Sequence, residues 1–152
     1  MPRRLRSGLN REAENGILRA TIVTRVMEIG IRILLVDDDD DLRGLLRTVL
    51  KYNGFSVTEA RTGNLAMGLL RSQQFDLVLL DITLPDGNGF RVAEFLRENK
   101  FSSKVIVITG TGGLENAVRG ASFGVRDYIS KPFTPQYLLR SIEHVLSIEV
   151  PN

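Results

Sequence analysis

Asp37 and Asp38, Asp81, Thr109 and Lys131 each stand at or just past the end of a short apolar stretch. Three carboxylates, a hydroxyl and an ammonium have a chemistry in common if they meet. Clustered acids raise one another's pKa values unless a cation intervenes. A hard divalent ion resolves that conflict. Mg²⁺ takes oxygen ligands and is commonly held by one or two carboxylates with phosphate oxygens and water. A carboxylate in such a place can act as a nucleophile and form an aspartyl phosphate. Asp81 would then carry a phosphoryl group. Lys131 would neutralise one of its oxygens, and Thr109 would donate a hydrogen bond to another. Phosphoryl transfer asks mainly for positioning and charge neutralisation, which this set supplies.

Taken singly, each residue has a plainer explanation. Asp39, Asp40 and Asp41 read as an acidic first turn of a helix, favoured by its dipole, with one of them as the N-cap. Asp81 alone suits a capping acid, Thr109 a strand end, and Lys131 a solvated surface lysine. Tyr128 reads as a half-buried strand aromatic and His144 as a surface residue of the last helix. The site exists only if the fold brings these positions to one rim.

Stepping along the chain from Ile31, strands and helices alternate five times. Residues 31–36, 55–60, 76–80, 104–109 and 125–130 read as strands. Between them lie helical patterns, such as Leu42, Leu45, Leu46, Val49 and Leu50, which share one helix face. Asn53-Gly54 is a helix stop. A loop with Pro85, Gly87 and Gly89 leads into the third helix, and 110–113 is a Gly-rich loop before the fourth. The last helix spans about 134–147. Such alternation implies an α/β fold with a parallel sheet covered on both faces. Apart from polar residues near their ends, strands 1, 3 and 4 are apolar on both faces, as buried parallel strands are. Strand 2 alternates and belongs at an edge. The expected architecture is a five-stranded, doubly wound (βα)5 sheet of order 2-1-3-4-5, flavodoxin-like. Ligand sites in such sheets lie off the carboxyl ends of the strands at the switch point between strands 1 and 3. The acids, Thr109 and Lys131 all fall at those ends.

Composition narrows the function. The chain has 152 residues, 43% hydrophobic and 25% charged, which is the profile of an ordinary globular domain. It has no Cys, which excludes thiol catalysis, Cys-ligated zinc and disulfide scaffolds, and one His, which excludes His-rich metal sites. The longest apolar runs in the strands are four residues, far short of the roughly 18 a membrane helix needs. Net charge is +2, but residues 1–26 hold six Arg and two Glu, so the remainder carries −2. The basic character thus belongs to the extension and does not mark the folded part as a nucleic-acid binder. Residues 1–26 are expected to be a basic extension, disordered or weakly helical. The domain proper is expected over 27–148, with a tail at 149–152.

At this point a resemblance appears. Residues 31–147 resemble the receiver domain of bacterial two-component response regulators. The motifs are ILLVDDDDDLR, DLVLLDITLPDGNGF, VIVITGTGG and DYISKPF. The resemblance implies that Asp37 and Asp38 are the acidic metal pair and Asp81 the phosphoacceptor. It implies that Thr83 lends its backbone carbonyl to Mg²⁺, that Thr109 is the switch hydroxyl, and that Lys131 is the phosphate-site lysine. It makes Tyr128 the aromatic that turns inward on activation and the Lys131–Pro132 peptide cis. Gly110 departs from the Ala or Ser often found there, and Asn88 from Asp. Thr83 and Thr111 occupy positions that tune phosphate lifetime in the family.

The function expected from the resemblance is that of a cytoplasmic phosphorelay switch. A sensor histidine kinase or a histidine phosphotransfer protein would donate the phosphoryl group. The domain would phosphorylate and dephosphorylate itself without acting as an enzyme on other substrates. The helix 4–strand 5–helix 5 face, counted from Ile31 and carrying Val118, Arg119, Arg126, Tyr137 and Arg140, would then bind a downstream target or a second copy. Neither membrane nor, for the domain itself, nucleic acid is an expected partner. The alternatives are a pseudo-receiver that works without phosphorylation, a small phosphatase using Asp81 on an external substrate, and a nucleic-acid binder acting through the Arg-rich extension. The complete acidic, hydroxyl and lysine set weighs against the first. Thr83, where a dehalogenase-like nucleophile motif has a second Asp, weighs against the second. Salt-sensitive binding lost on removing 1–26 would mark the third.

Overall fold

The computed structural model describes residues 3–110 and 114–147. The parallel sheet is built from β1 (Arg32–Val36), β2 (Ser56–Ala60), β3 (Leu77–Leu80), β4 (Lys104–Thr109) and β5 (Asp127–Ser130). Helices among the described residues are α1 (Arg3–Ile29), α2 (Asp40–Tyr52), α3 (Gly63–Ser72), α4 (Phe90–Glu98), α5 (Leu114–Ser122) and α6 (Pro135–Leu146). Two-residue strands, Thr83–Leu84 and Gly87–Asn88, form a separate antiparallel hairpin. Apart from that hairpin the strand order is β2-β1-β3-β4-β5, all parallel, as the alternation implied.

The continuous apolar strands have a direct cause. Successive side chains on a strand point to opposite faces, and here both faces are covered. Ile33, Leu35, Leu77, Leu79, Ile106 and Ile108 pack with Leu46 and Leu50 of α2 and Ile142 of α6. Their neighbours Leu34, Val36, Val78, Leu80, Val105 and Val107 pack with Leu70 of α3 and Val92 and Leu96 of α4. On β2, exposed or half-buried residues precede the buried Ala60, in keeping with its place at the sheet edge.

Helix ends follow local chemistry. Asp39 is the N-cap of α2 and accepts hydrogen bonds from the amides of Asp41 and Leu42. Thr62 and Thr134 cap α3 and α6 in the same way, and Pro135 occupies the first turn of α6, where its missing N–H costs nothing. His144 is exposed on α6, as expected.

The N-terminal extension differs from expectation. Residues expected to be disordered or weakly helical form one continuous helix through Ile29, about 40 Å long at 1.5 Å per residue. The boundary expected at residue 27 falls inside it. Residues 10–21 are exposed, but Ile22 packs against the core and Val26 is fully buried in it. The last turns of α1 therefore belong to the domain. The tail at 149–152, and residues 111–113 of the Gly-rich loop with Thr111, lie outside the described residues. No helix among the described residues is long and apolar enough to cross a membrane.

Candidate acidic phosphoryl site

Sheet register brings the acids together. Val36 of β1 and Leu80 of β3 are register partners, so the next residues, Asp37 and Asp81, leave the sheet side by side. The Asp81 amide donates to the Val36 carbonyl (2.9 Å), and the Asp37 amide to the Ala60 carbonyl (3.1 Å). On the other side, Thr109 and Ser130 are partners at the ends of β4 and β5, which places Lys131 next in line. The Lys131 amide donates to the Thr109 carbonyl (2.8 Å).

The carboxylates of Asp37, Asp38 and Asp81 each offer an oxygen within 4.8 Å of the others. Asp37 is 2% exposed and Asp81 5%, while Asp38 faces solvent. Lys131 Nζ donates to both buried acids, at 3.0 Å from Asp37 Oδ2 and 3.0 Å from Asp81 Oδ2. Each acid uses its second oxygen on the backbone. The Asp39 amide donates to Asp37 Oδ1 and the Thr83 amide to Asp81 Oδ1, both at 2.8 Å. Burial pushes the Asp37 pKa above its ordinary value, and the bonds from Asp39 and Lys131 offset this only in part. For Lys131, burial acts to lower the pKa, but hydrogen bonds and attraction from Asp81 and Asp37 outweigh it, and the net direction is up. Lysine is thus held as a cation between two buried acids.

A hard divalent cation fits this donor set. The ligands are oxygens only, three carboxylates converge, and the exposed Asp38 leaves the outer side open to water. Lys131 supplies one positive charge against these three carboxylates.

The fold brings Asp37, Asp38, Asp81 and Lys131 together, with Thr109 on the adjoining strand end, while Tyr128 and Thr83 stand differently from expectation. Thr83 is exposed, and its amide holds Asp81. The Tyr128 ring packs against the second core layer, and its hydroxyl is buried with no hydrogen-bond partner among the described residues. Burial, and then the charge of Asp81, raise its pKa. The ring that was expected to turn inward therefore already has its hydroxyl out of solvent. Thr109 is fully buried at the end of β4. The Lys131–Pro132 peptide is cis.

Three supporting residues were not singled out from sequence. A Cβ on Gly89 would meet the Asp81 carbonyl oxygen at 2.2 Å and Ile82 Cα at 2.8 Å, so only glycine lets the loop pass. Its amide bonds the Ile82 carbonyl (2.8 Å). Asp86 reaches from that loop to cap α3, accepting from the amides of Gly63 (3.0 Å) and Asn64 (2.7 Å). Burial acts to raise the Asp86 pKa, and those backbone bonds outweigh it and lower it. Arg43 Nη1 donates to the Asp37 carbonyl at 2.8 Å. The turn signal Pro85-Asp86-Gly87 marks the loop, but nothing local names the distant partners of Asp86 and Arg43.

A doubly wound parallel sheet with three clustered acids and a bridging lysine at its carboxyl rim defines a class of α/β domains with an acidic rim site. The family model for the response regulator receiver domain matches residues 33–143, and the chain belongs to that family, the receiving half of two-component signalling. Among curated proteins, it is 33% identical over 116 residues to the cell cycle response regulator CtrA of Brucella ovis. That alignment covers 76% of this chain and 50% of the relative, so the chain spans about half the length of the curated relatives it matches. Among solved structures it is similar to the non-phosphorylated HemR receiver domain from Leptospira biflexa. The identity is 37%, the TM-score 0.74, with 80% of this chain and 98% of that one covered. It is also similar to a CheY-like receiver domain protein from Methanospirillum hungatei, at 33% identity and TM-score 0.73, covering 78% and 94%.

Proposed function

We propose that this domain accepts a phosphoryl group on Asp81 from the phosphohistidine of a sensor kinase or phosphotransfer protein, in the cytoplasm, and that the modified domain docks a downstream protein. The observation that carries the reading is the Asp81 carboxylate. It is buried beside Asp37 and Asp38, one oxygen held by the Thr83 amide and the other by Lys131.

Asp37, Asp38 and Asp81, with the Thr83 carbonyl, would hold Mg²⁺, which when bound supplies charge neutralisation between the acids and the phosphoryl oxygens. An Asp81 oxygen attacks phosphorus in line. The new O–P bond forms as the P–N bond to the donor imidazole breaks, and the electron pair leaves with the ring nitrogen. Lys131 moves its contact from the Asp81 carboxylate to a phosphoryl oxygen. Thr109 donates its hydroxyl to another. Hydrolysis of the acyl phosphate returns the carboxylate, so the domain is its own substrate and a timed switch.

The modification adds about −1.5 to −2 charges to an acidic rim. Thr109 responds, and the packing of Tyr128 under α5 changes with it. A Cβ at Gly120 of α5 would lie 3.5 Å from the Tyr128 and Phe90 rings, so helix and ring share one contact. The face formed by α5, β5 and α6 exposes Val118, Arg119, Arg126, Tyr137 and Arg140. Beside it a groove of about 540 Å³ is lined by Tyr128, Ser130, Pro132, Phe133, Thr134 and Tyr137. This face is the docking surface for a downstream target or a second copy.

The test is direct. The protein is incubated with acetyl phosphate and Mg²⁺, and its intact mass is read. One phosphoryl adduct is expected, abolished by EDTA and by Asp81→Asn. A wild type that stays unmodified by acetyl phosphate and by a phosphorylated kinase would leave the pseudo-receiver reading in its place.

A further inference from the structure

We infer that Arg43 is a positioning residue for the cation site, clamping the backbone at Asp37 so that the Asp37–Asp38 pair faces Asp81. The inference deepens the function proposed above and rests on it.

Asp37 is tied down at every polar atom. Its amide bonds Ala60, Oδ1 takes the Asp39 amide, and Oδ2 takes Lys131. The remaining atom is the carbonyl, at the bend where the chain leaves β1, and Arg43 Nη1 occupies it at 2.8 Å. The same guanidinium reaches Asp40 Oδ1 through Nη2 (2.6 Å) and Glu59 Oε1 through Nε (3.1 Å). One planar group thus joins the acidic loop, the first turn of α2 and the edge strand β2. Its anchors are themselves held. Arg47 bonds the other Glu59 oxygen at 2.9 Å, and Arg61 lies 3.1 Å from both Asp40 oxygens.

An ordinary surface ion pair is screened and contributes little. Arg43 differs in two ways. Its side chain is only 13% exposed, whereas Asp40 is 64% and Arg61 60% exposed. Its bond to Asp37 is to backbone, so it sets where that residue's carboxylate starts. The three partners need donors spread in a fixed plane. Arginine has that fork, and lysine, a single ammonium, does not.

The two possible roles of Arg43 predict opposite signs. If it were merely a cation near the acids, removing it would tighten Mg²⁺ binding, since less positive charge would oppose the ion. If it positions the acids, removing it weakens binding. The experiment is calorimetric titration of Mg²⁺ alone into the full chain as wild type, Arg43→Gln, Arg43→Lys and Glu59→Asp. Circular dichroism first establishes a temperature at which each is folded. Arg43→Gln and Arg43→Lys are each expected to lose about tenfold in affinity, the lower end of what groups orienting metal ligands supply. Glu59→Asp is expected to lose less. It is the variant that decides the matter should both Arg43 variants fail to fold, because it pulls an anchor back from the guanidinium and leaves every charge in place. Unchanged or tighter binding in Arg43→Gln, wild-type binding in Arg43→Lys, or wild-type binding in Glu59→Asp overturns the assignment. A wild type that binds no Mg²⁺ overturns the functional reading itself, and this with it.

Discussion

Asp37 sits where burial and function pull against each other. Its carboxylate is less exposed than that of any other acid in the cluster, and burial raises its pKa above 3.8. The linkage follows from that direction. Between 3.8 and the raised value the folded state holds more of the proton than the unfolded state, so stability falls as pH rises through that window. Above it the penalty is fully present, including at pH 7. Lys131 works the other way. Its pKa is raised above 10.5, so its contribution is complete below that value and is lost as pH climbs through the folded pKa. Asp37→Asn is therefore expected to leave the melting temperature at pH 7 equal to or above that of wild type, while Mg²⁺ binding collapses. The Asn oxygen can still accept from the Asp39 amide, and Lys131 keeps Asp81. Thermal melts beside Mg²⁺ titrations check both halves, and a variant that melts well below wild type refutes the stability half. In wild type, Mg²⁺ affinity is expected to drop as pH is lowered into the Asp37 window, because proton and cation compete for the same oxygens.

At the scale of elements, the site was legible because the strands were. An apolar run ending in a polar residue names both the strand and what it carries to the rim. Parallel register then does the rest, putting Asp37 beside Asp81 through Val36 and Leu80, and Lys131 beside Thr109 through Ser130. The loop after β3 was less legible. Its punctuation marks a turn, but Asp86 finds its partner 22 or 23 residues upstream, and that pairing depends on how α3 packs. Gly89 shows the same limit. Its backbone is helical, with φ −57°, so conformational freedom is not why it is glycine. Space is the reason. Gly89→Ala would press a methyl into the Asp81 and Ile82 backbone, which cannot swing aside as a side-chain tip can. We expect a loss of about 1–3 kcal/mol, as for other overpacked sites, and impaired phosphorylation of Asp81. Gly68→Ala is the matched comparison. Nothing lies within 4 Å of its Cβ, and it stands in the exposed interior of α3. There alanine is expected to stabilise by about 0.5–1 kcal/mol. Denaturant melts of the two variants decide it, and equal shifts would refute the steric account.

At the scale of the whole molecule, the N-terminal helix changes where the domain begins. Its register was hard to see because residues 10–21 bury nothing, so no core-facing stripe runs its length. Two glycines, Gly8 and Gly16, and a scatter of arginines weaken the helical signal further. What ties it down is short: Ile22 and Val26, four residues apart and so one above the other on a helix face, enter the layer formed by α2 and α6. Alongside them Leu18 and Val23 face Phe55 and Leu139 across a cavity of about 210 Å³. A domain cut at residue 27 would leave that layer open at Val26, which is 0% exposed. Two single substitutions separate the buried end of α1 from its exposed stem. Val26→Ala removes fully buried methyl groups and is expected to cost about 2 kcal/mol. For a chain of this size that lowers the melting temperature by about 4–8 °C. Ile17→Ala, at a side chain 69% exposed, is expected to stay within about 0.5 kcal/mol of wild type. Both are read by thermal unfolding of the full chain. A Val26→Ala variant as stable as Ile17→Ala would mean that α1 rests on the surface and that the receiver core closes without it.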